Sequence, residues 1–318
     1  MKFWFVSVQF SKAMFWVIEI ELKLHLFFKL IHFIMRQNIL QFFFFTFLIL
    51  LVFSLSACKK KGCMDPDAYN YNESAKKDDG SCEYPPSSEI TFEFTNTFNE
   101  TTLTSTQFNQ LNYTNEFGTV MSLSKLRYQI SDFYFYTSAT DSVNLNDYHL
   151  VDVSNSSSLN FKVPTKILQK KYNALSFVFG FEPSKNISGK YADLNAANWG
   201  WPEMLGGGYH SLQIEGNFIK TTTDTLGYAF HCGSETREIS GIDTTYHPNY
   251  FRVKLAFTEI QFDDAVNIEL KMNIAEWFKN PITWDLNTLN NGLMSNYSAQ
   301  VMMKNNGLDV FQIGTIEP

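Results

Sequence analysis

The sequence predicts an all-β protein, an antiparallel β-sandwich that ends in short C-terminal helices. Short segments in which apolar and polar residues alternate follow one another between residues 90 and 272, and such alternation is typical of half-buried strands. Gly, Asn, Asp and Pro separate these segments, without the long amphipathic helices that a βαβ fold requires.

The individual strands are predicted from this alternation. Residues 125–137 make the longest strand, with a bulge expected near Ser131, and residues 174–181 are almost wholly apolar, as in a central strand. An edge strand is expected at residues 111–114. The other predicted strands are residues 90–94, 148–153, 159–163, 209–219, 226–232, 251–257 and 266–272.

Two short helices are predicted near the C-terminus. Residues 274–278 precede Asn280-Pro281, and helices usually end before a proline. Residues 298–304 precede Asn306-Gly307, and a glycine at such a place commonly ends a helix. Residues 309–311 should then close against the core.

Residues 1–57 are predicted to be a lipoprotein signal region. A basic residue follows Met35, residues 39–53 are almost wholly apolar, and the region leads into Leu55-Ser56-Ala57-Cys58. This arrangement is typical of a secretory signal, and its last four residues resemble a bacterial lipoprotein box. We therefore expect translation to start at Met35, cleavage before Cys58, and lipid on Cys58.

The alternative for this region is a transmembrane hairpin formed by two apolar runs. Glu19 and Glu21 interrupt the first run, and charges are costly at the centre of a bilayer. A lipoprotein signal instead places the protein in the cell envelope, held by lipid at the outer membrane and facing the periplasm or the surface. Residues 58–61 are then the lipidated tether.

The charge of the exported part excludes one class of partner. Of 25 basic and 32 acidic residues, five basic and two acidic ones lie within residues 1–57, which leaves 20 and 30. Nucleic-acid binding depends on Lys and Arg contacts to phosphates. We therefore expect no nucleic-acid partner.

Residues 62–84 are predicted to form a small module, followed by a linker at residues 85–89 and the β domain at residues 90–318. The module resembles a Cys-flanked repeat of bacterial surface proteins and is too short to bury a core. A disulfide between Cys63 and Cys82 would hold it together. Its aspartates suggest calcium, with solvated acidic side chains as the alternative.

One stretch of the β domain, residues 199–233, concentrates candidate metal ligands. Imidazole and soft sulfur ligands of this kind suit copper or zinc. On a hairpin of residues 209–219 and 226–232, His210 and His231 come close enough to face each other across the strands. The alternative is two half-buried histidines that bond backbone groups. The candidates are Trp199, Trp201, Met204, His210, His231 and Cys232. Because Cys232 follows His231 directly on a strand, its side chain points the other way, and we expect a buried thiol there in place of a ligand.

Several segments of the β domain carry a family resemblance. They are residues 124–133 (SKLRYQISDF), 148–152 (YHLVD), 172–180 with Asn186, 208–216 (GYHSLQIEG), 230–233 (FHCG), 277–281 and 305–311. In these segments and in their order, from about residue 90 to residue 311, the chain resembles the MbnP-like copper-binding proteins.

The resemblance implies that the chain binds or handles copper, with His210 and His231 as the ligands. Some relatives use a tryptophan that a partner di-haem enzyme of the peroxidase type oxidises to kynurenine, so it also implies such a partner and a role for Trp199 or Trp201. Met204 is a further candidate ligand. The alternatives are a hydrophobic lid formed by the indoles and packing by the thioether.

Two departures from the family pattern keep a second function open. Ser131 and Ile187 stand where some relatives carry histidine, so the sandwich could instead be a non-metal adhesion or ligand-binding protein that has lost the site. The sequence has no nucleophile-turn triad, zinc-protease helix motif or nucleotide loop. The chain is therefore predicted not to be an enzyme.

Overall fold

The computed structural model describes residues 60–220 and 224–318, together with part of residues 21–46. Most of the predicted signal region and the lipidation site at Cys58 lie outside the described residues. No helix in this described part has both the length and the apolar character of a membrane span. The chain divides into two units, Met1–Tyr84 and Pro85–Pro318.

The first unit contains the small module that the sequence predicts. A disulfide joins Cys63 and Cys82, which confirms the predicted pairing. The carboxylates of Asp65, Asp78 and Asp79 each accept a hydrogen bond from the backbone N–H two residues along the chain, at 3.0, 3.3 and 3.1 Å. The acidic side chains therefore stabilise turns, and calcium binding by the module stays a prediction.

The second unit consists mainly of strands. They are β1 (Ser87–Phe98), β2 (Thr101–Thr102), β3 (Tyr113–Thr114), β4 (Val120–Met121), β5 (Lys125–Tyr136), β6 (Ser142–Asn144), β7 (Tyr148–Asp152), β8 (Asn160–Lys162), β9 (Ile167–Leu168), β10 (Lys171–Phe179), β11 (His210–Ile219), β12 (Thr225–Gly233), β13 (Glu235–Ser240), β14 (Asp243–Pro248), β15 (Phe251–Gln261), β16 (Ala265–Asn273) and β17 (Phe311–Glu317).

The helices of this unit are short. The α-helices are α1 (Ala192–Ala196) and α2 (Tyr297–Asn306). The 3-10 helices are Ser105–Gln107, Ser156–Leu159, Glu203–Leu205, Ile274–Phe278, Leu293–Ser295 and Gly307–Asp309. Ile274–Phe278 and α2 correspond to the two helices predicted near the C-terminus.

The strands form two large sheets and a separate hairpin. The six-stranded sheet has the order β17-β16-β1-β2, with β8 and β9 also on β1, and the nine-stranded sheet has the order β15-β10-β5-β11-β4-β3, with β12 on β11 and β6 and β7 on β5. β13 and β14 form the hairpin. Within the described part of the domain, pairing is antiparallel except between β1 and β16, which are parallel. The predicted all-β sandwich is confirmed.

Aromatic side chains join the two sheets in the core. Phe92 on β1 stacks on Phe133 of β5 with ring centroids 4.7 Å apart, and Phe177 on β10 meets Phe311 of β17 edge-on at 5.0 Å. Such pairs contribute about 0.5–1.5 kcal/mol beyond the area they bury. The buried aromatic rings thus fix the two sheets against each other.

A left-handed residue in β5 changes which side chains reach the core. Asp132 has a φ of 54°, and the pairing of β5 with β10 shifts its register between Tyr134 and Ser131. Simple alternation would place Phe133 on the face of Arg127. Because of this bulge, which the sequence predicts near Ser131, Phe133 is fully buried in the core instead.

Candidate metal site

The two predicted histidine ligands, His210 and His231, lie on the outer face of the nine-stranded sheet. Phe230 and Cys232 on β12 are buried in the core, so His231 between them points away from it. Across the ladder His231 pairs with Gln213 of β11, and His210 at the start of β11 pairs with Gly233. Since Gly233 is two residues beyond His231 on β12, the two histidines are offset by two residues along the hairpin.

The segment that connects β10 to β11 packs on this outer face as a second apolar cluster. Phe181, Leu194, Trp199 and Tyr209 are buried together, with Tyr191 packed against them. The rings of Tyr191 and Phe181 stack at 4.9 Å. Through this cluster, the loop that carries the tryptophans is fixed to the sheet.

A tight turn brings Trp199 and Trp201 back over the start of β11. The backbone N–H of Trp201 donates to the carbonyl of Gly208 at 2.9 Å. Gly208 has a φ of 80°, a left-handed conformation that favours glycine. The ring of Trp201 then lies directly on Gly233, where an added Cβ would come within 2.5 Å of it.

His210 is enclosed by both tryptophans. Its side chain is buried, with ring centroids 5.2 Å from Trp199 and 5.0 Å from Trp201. Its Nδ1 lies 3.0 Å from the Trp199 carbonyl oxygen, which can only accept, so Nδ1 carries the hydrogen. Nε2 therefore presents a lone pair, and this buried atom has no hydrogen-bond partner among the described residues.

The second imidazole lies beside the first. The ring centroids of His210 and His231 are 5.5 Å apart with an angle of 77° between the planes. Nε2 of His231 lies 2.8 Å from Oε1 of Glu215, and Nζ of Lys125 lies 2.6 Å from the same oxygen. The site thus combines two imidazoles with a carboxylate and an ammonium group.

The charges of the site are set by burial and by these partners. Burial lowers the pKa of His210 to about 4; the hydrogen bond to the Trp199 carbonyl opposes this shift, and the charge of Arg127 adds to it. Burial works against ionisation of Glu215, but hydrogen bonds from Lys125 and His231 leave its pKa below the ordinary value. At neutral pH, His210 is therefore a neutral ring with a free nitrogen.

Arg127 supports the tryptophan side of the site. Its guanidinium carbon lies 4.9 Å from the centroid of Trp199, a cation–π contact. The same group pairs with Asp152 at 3.1 Å and donates to the carbonyl of Ala197 at 3.1 Å. Arg127 thereby fixes the indole that contacts His210.

Two other candidates are placed apart from this cluster. Met204 is 65% exposed in the 3-10 helix Glu203–Leu205, so its thioether is not enclosed with the imidazoles. Cys232 points into the core, where burial raises the pKa of its thiol to about 12. It is therefore a buried thiol, as its place next to His231 on a strand predicts.

The two positions at which some relatives carry histidine do not supply another imidazole. The hydroxyl of Ser131 donates to the carbonyl of Gly180 at 2.7 Å in the buried interior. Ile187 is 51% exposed. Among the described residues, the imidazoles of the site are therefore those of His210 and His231.

Arg127, Lys125 and Glu215 also belong to the site, although no sequence motif predicts them there. Alternation along each strand indicates which side chains share a face. The face of His231 also carries residues 213 and 215 of β11 and residues 125 and 127 of β5. What the sequence lacks is the pairing of β5 with β11, which joins segments more than 80 residues apart.

The donor set fits a metal with few protein ligands. In the described residues no three or more His, Cys, Asp or Glu side chains are gathered as a metal-binding group. The two imidazoles, one with a buried unpaired nitrogen, are nevertheless ligands suited to copper. The orphaned Nε2 of His210 is the atom that a bound ion would satisfy.

Comparison with known proteins gives one family and one similar fold. A family model described as MbnP matches residues 87–300, more than half of the chain. Among solved structures, MbnP from Methylosinus trichosporium is 13% identical, with 72% of this chain and 99% of that chain covered at a TM-score of 0.49. No curated protein sequence gives a significant match.

Proposed function

Because this chain belongs to the MbnP family, we propose that it is an exported protein that binds copper through His210 and His231. The observation that carries the proposal is the buried Nε2 of His210, which has no hydrogen-bond partner among the described residues, in a ring whose centroid lies 5.5 Å from that of a second imidazole. Leaving such an atom unpaired costs about 1–3 kcal/mol, and a metal ligand bond would remove that cost.

The surroundings favour a metal that accepts few ligands. Trp199 and Trp201 are buried against His210 and exclude water from one side of it. His231 is partly exposed, so the second imidazole remains accessible to solvent. Bound copper would supply a redox-active ion held by nitrogen ligands. The protein itself supplies two oriented imidazole rings and two indoles that exclude water from one of them.

The test is copper stoichiometry by elemental analysis of the full chain, purified in detergent and loaded with Cu(I) or Cu(II). We expect one copper per wild-type chain and none in the His210→Ala/His231→Ala double variant. His247→Ala is the matched control, since this histidine pairs with Glu238 at 2.8 Å in the separate β13–β14 hairpin. Met204→Leu should also retain full loading because its thioether is exposed.

Two results would contradict the copper site. One is a wild-type chain that retains no copper after loading. The other is a double variant, folded by circular dichroism, that retains as much copper as the wild type.

The proposal includes a lipid anchor at Cys58 and a place in the cell envelope, at the outer membrane. It is supported by the lipoprotein box of residues 55–58. Labelling with a palmitate analogue should mark the wild-type chain in the membrane fraction and leave Cys58→Ser unlabelled. Label on both proteins, or on neither, would contradict the anchor.

It also includes a partner di-haem enzyme of the peroxidase type that oxidises Trp199 or Trp201. Both indoles contact His210, so conversion of either to kynurenine would change the surroundings of the proposed ligand. The enzyme's oxidant, peroxide or dioxygen, would add two oxygen atoms to give N-formylkynurenine, and hydrolysis with one water would release the formyl carbon as formate. The net gain of one oxygen and loss of one carbon adds about 4 Da. Peptide mass spectrometry of the protein from its native cells should find this shift at Trp199 or Trp201.

A second candidate function is binding of a non-metal surface ligand by the same sandwich. The β13–β14 hairpin favours it, because Ile239 is 58% and Ile242 is 100% exposed there. Single exposed apolar residues are common, so this observation weighs less than the buried nitrogen of His210. A folded wild-type chain without copper affinity would favour this second function.

A further inference from the structure

The two imidazoles of the site are held by opposite ring nitrogens. His210 is held through Nδ1, which donates to the Trp199 carbonyl at 3.0 Å. His231 is held through Nε2, which lies 2.8 Å from Oε1 of Glu215. The nitrogens not used by these contacts are Nε2 of His210 and Nδ1 of His231.

The carboxylate at His231 is itself fixed. Lys125 on β5 is the direct cross-strand neighbour of Glu215 on β11, and its ammonium group lies 2.6 Å from the same Oε1. An ammonium group only donates, so it holds Glu215 as an ionised carboxylate that only accepts. The ring nitrogen of His231 that faces Glu215 must therefore be an N–H.

We infer that Glu215, oriented by Lys125, is a positioning residue that fixes His231 with its hydrogen on Nε2 and its lone pair on Nδ1. This inference rests on the proposed copper function for its consequence, but the hydrogen position is a property of the metal-free protein. A carboxylate that orients a metal-binding histidine in this way also raises the basicity of the ring. The ion would then be held by Nε2 of His210 and Nδ1 of His231.

The two histidines are held by different kinds of group. A backbone carbonyl fixes His210, and no side-chain substitution can remove it. A side chain fixes His231, so the second ligand can be loosened while both imidazoles remain. Glu215→Ala removes the acceptor, Glu215→Gln retains an oxygen without the charge, and Lys125→Met removes only the ammonium group.

The first measurement is nitrogen-15 NMR of the metal-free full chain at a pH where the rings are neutral. We expect the His231 ring to carry its hydrogen on Nε2, with a slowly exchanging downfield proton that disappears in Glu215→Ala and persists in Glu215→Gln. A wild-type His231 with its hydrogen on Nδ1 would overturn the inference. So would a ring proton that is equally protected in Glu215→Ala.

The second measurement is copper affinity by competition with a chelator. Loss of an outer carboxylate typically weakens metal binding by about 10–100-fold, and we expect this for Glu215→Ala with one site still filled at saturation. The matched control is Glu182→Ala, which removes a carboxylate that pairs with Arg252 of β15 at 2.7 Å and not with either histidine. Its affinity should equal that of the wild type.

The two proposals fail in different ways. If the wild type binds no copper, the proposed function fails, and the NMR result still decides how Glu215 holds His231. If the wild type binds copper and Glu215→Ala binds it equally well, the copper function stands and the positioning role of Glu215 is wrong.

Discussion

His210 and Trp199 are joined by two hydrogen bonds to one atom. The carbonyl oxygen of Trp199 accepts from the backbone N–H of His210 at 2.9 Å and from its ring Nδ1 at 3.0 Å. The imidazole cannot rotate without losing one of these bonds. The direction of Nε2 is therefore set by the backbone of the tryptophan turn.

Gly233→Ala should disturb the packing of Trp201 on β12 while both histidines are retained. An added Cβ would lie 2.5 Å from Cε2 of Trp201 and 2.7 Å from the backbone oxygen of Glu235. Overpacking of this kind costs about 1–3 kcal/mol. We expect a lower free energy of unfolding and a red-shifted tryptophan fluorescence, measured by denaturant titration.

Gly227→Ala is the matched control because it places the same methyl group on the same strand. Its Cβ would meet atoms no closer than 3.8 Å, which is ordinary contact. We expect its unfolding midpoint and emission to match the wild type. Equal destabilisation by the two substitutions would show that close packing of Trp201 on Gly233 is not the cause.

The stability of the metal-free protein should fall in mildly acidic solution because His210 is buried as a neutral ring. Its pKa is about 4 in the folded chain against an ordinary 6.5. Below pH 6.5 the His210 ring becomes protonated in the unfolded chain but stays neutral in the folded chain. The free energy of unfolding therefore decreases as the pH falls. Between pH 7.5 and 4.5 this residue should account for about 2–3 kcal/mol.

The measurement is urea unfolding at both pH values with a chelator present. His210→Gln has no titrating ring, so its loss of stability over this interval should be smaller than that of the wild type by about the same 2–3 kcal/mol. His149, whose pKa is also lowered by burial, contributes equally to both proteins and cancels. An identical loss in both proteins would mean that His210 is protonated in the folded state.

Local patterns in the sequence were sufficient for most of the fold. Period-two alternation gave the long strand β5, and Pro281 marked the end of the helix Ile274–Phe278. Alternation could not show that β1 and β16 pair in parallel, because these strands are more than 170 residues apart. It also missed the hairpin β13–β14, which is largely exposed and so lacks an apolar face.

The site was predictable to the extent that it is local. His210 and His231 lie on adjacent strands of one hairpin, and their approach follows from counting along it. Lys125 and Arg127 lie on β5, and they reach the site only because β5 pairs with β11 in the sheet. The bulge between His210 and Leu212 sets the final offset of the two rings, and short-range composition does not encode it.

The disulfide between Cys63 and Cys82 should decide whether the small module is folded. The module has few buried side chains, among them Ala68 and Ala75, so hydrophobic burial alone gives it little stability.

Closing a loop of this length contributes about 3 kcal/mol in the chain-entropy account, and we expect the Cys63→Ala/Cys82→Ala variant to lose the fold of residues 62–84. Limited trypsin digestion with mass spectrometry should then show rapid cleavage after Lys76 and Lys77, while the β domain stays protected. Cys232→Ala removes a thiol that is outside any disulfide, and it should leave the module as resistant as in the wild type. Equal resistance of all three proteins would mean that the turns capped by Asp65, Asp78 and Asp79, and not the disulfide, hold the module together.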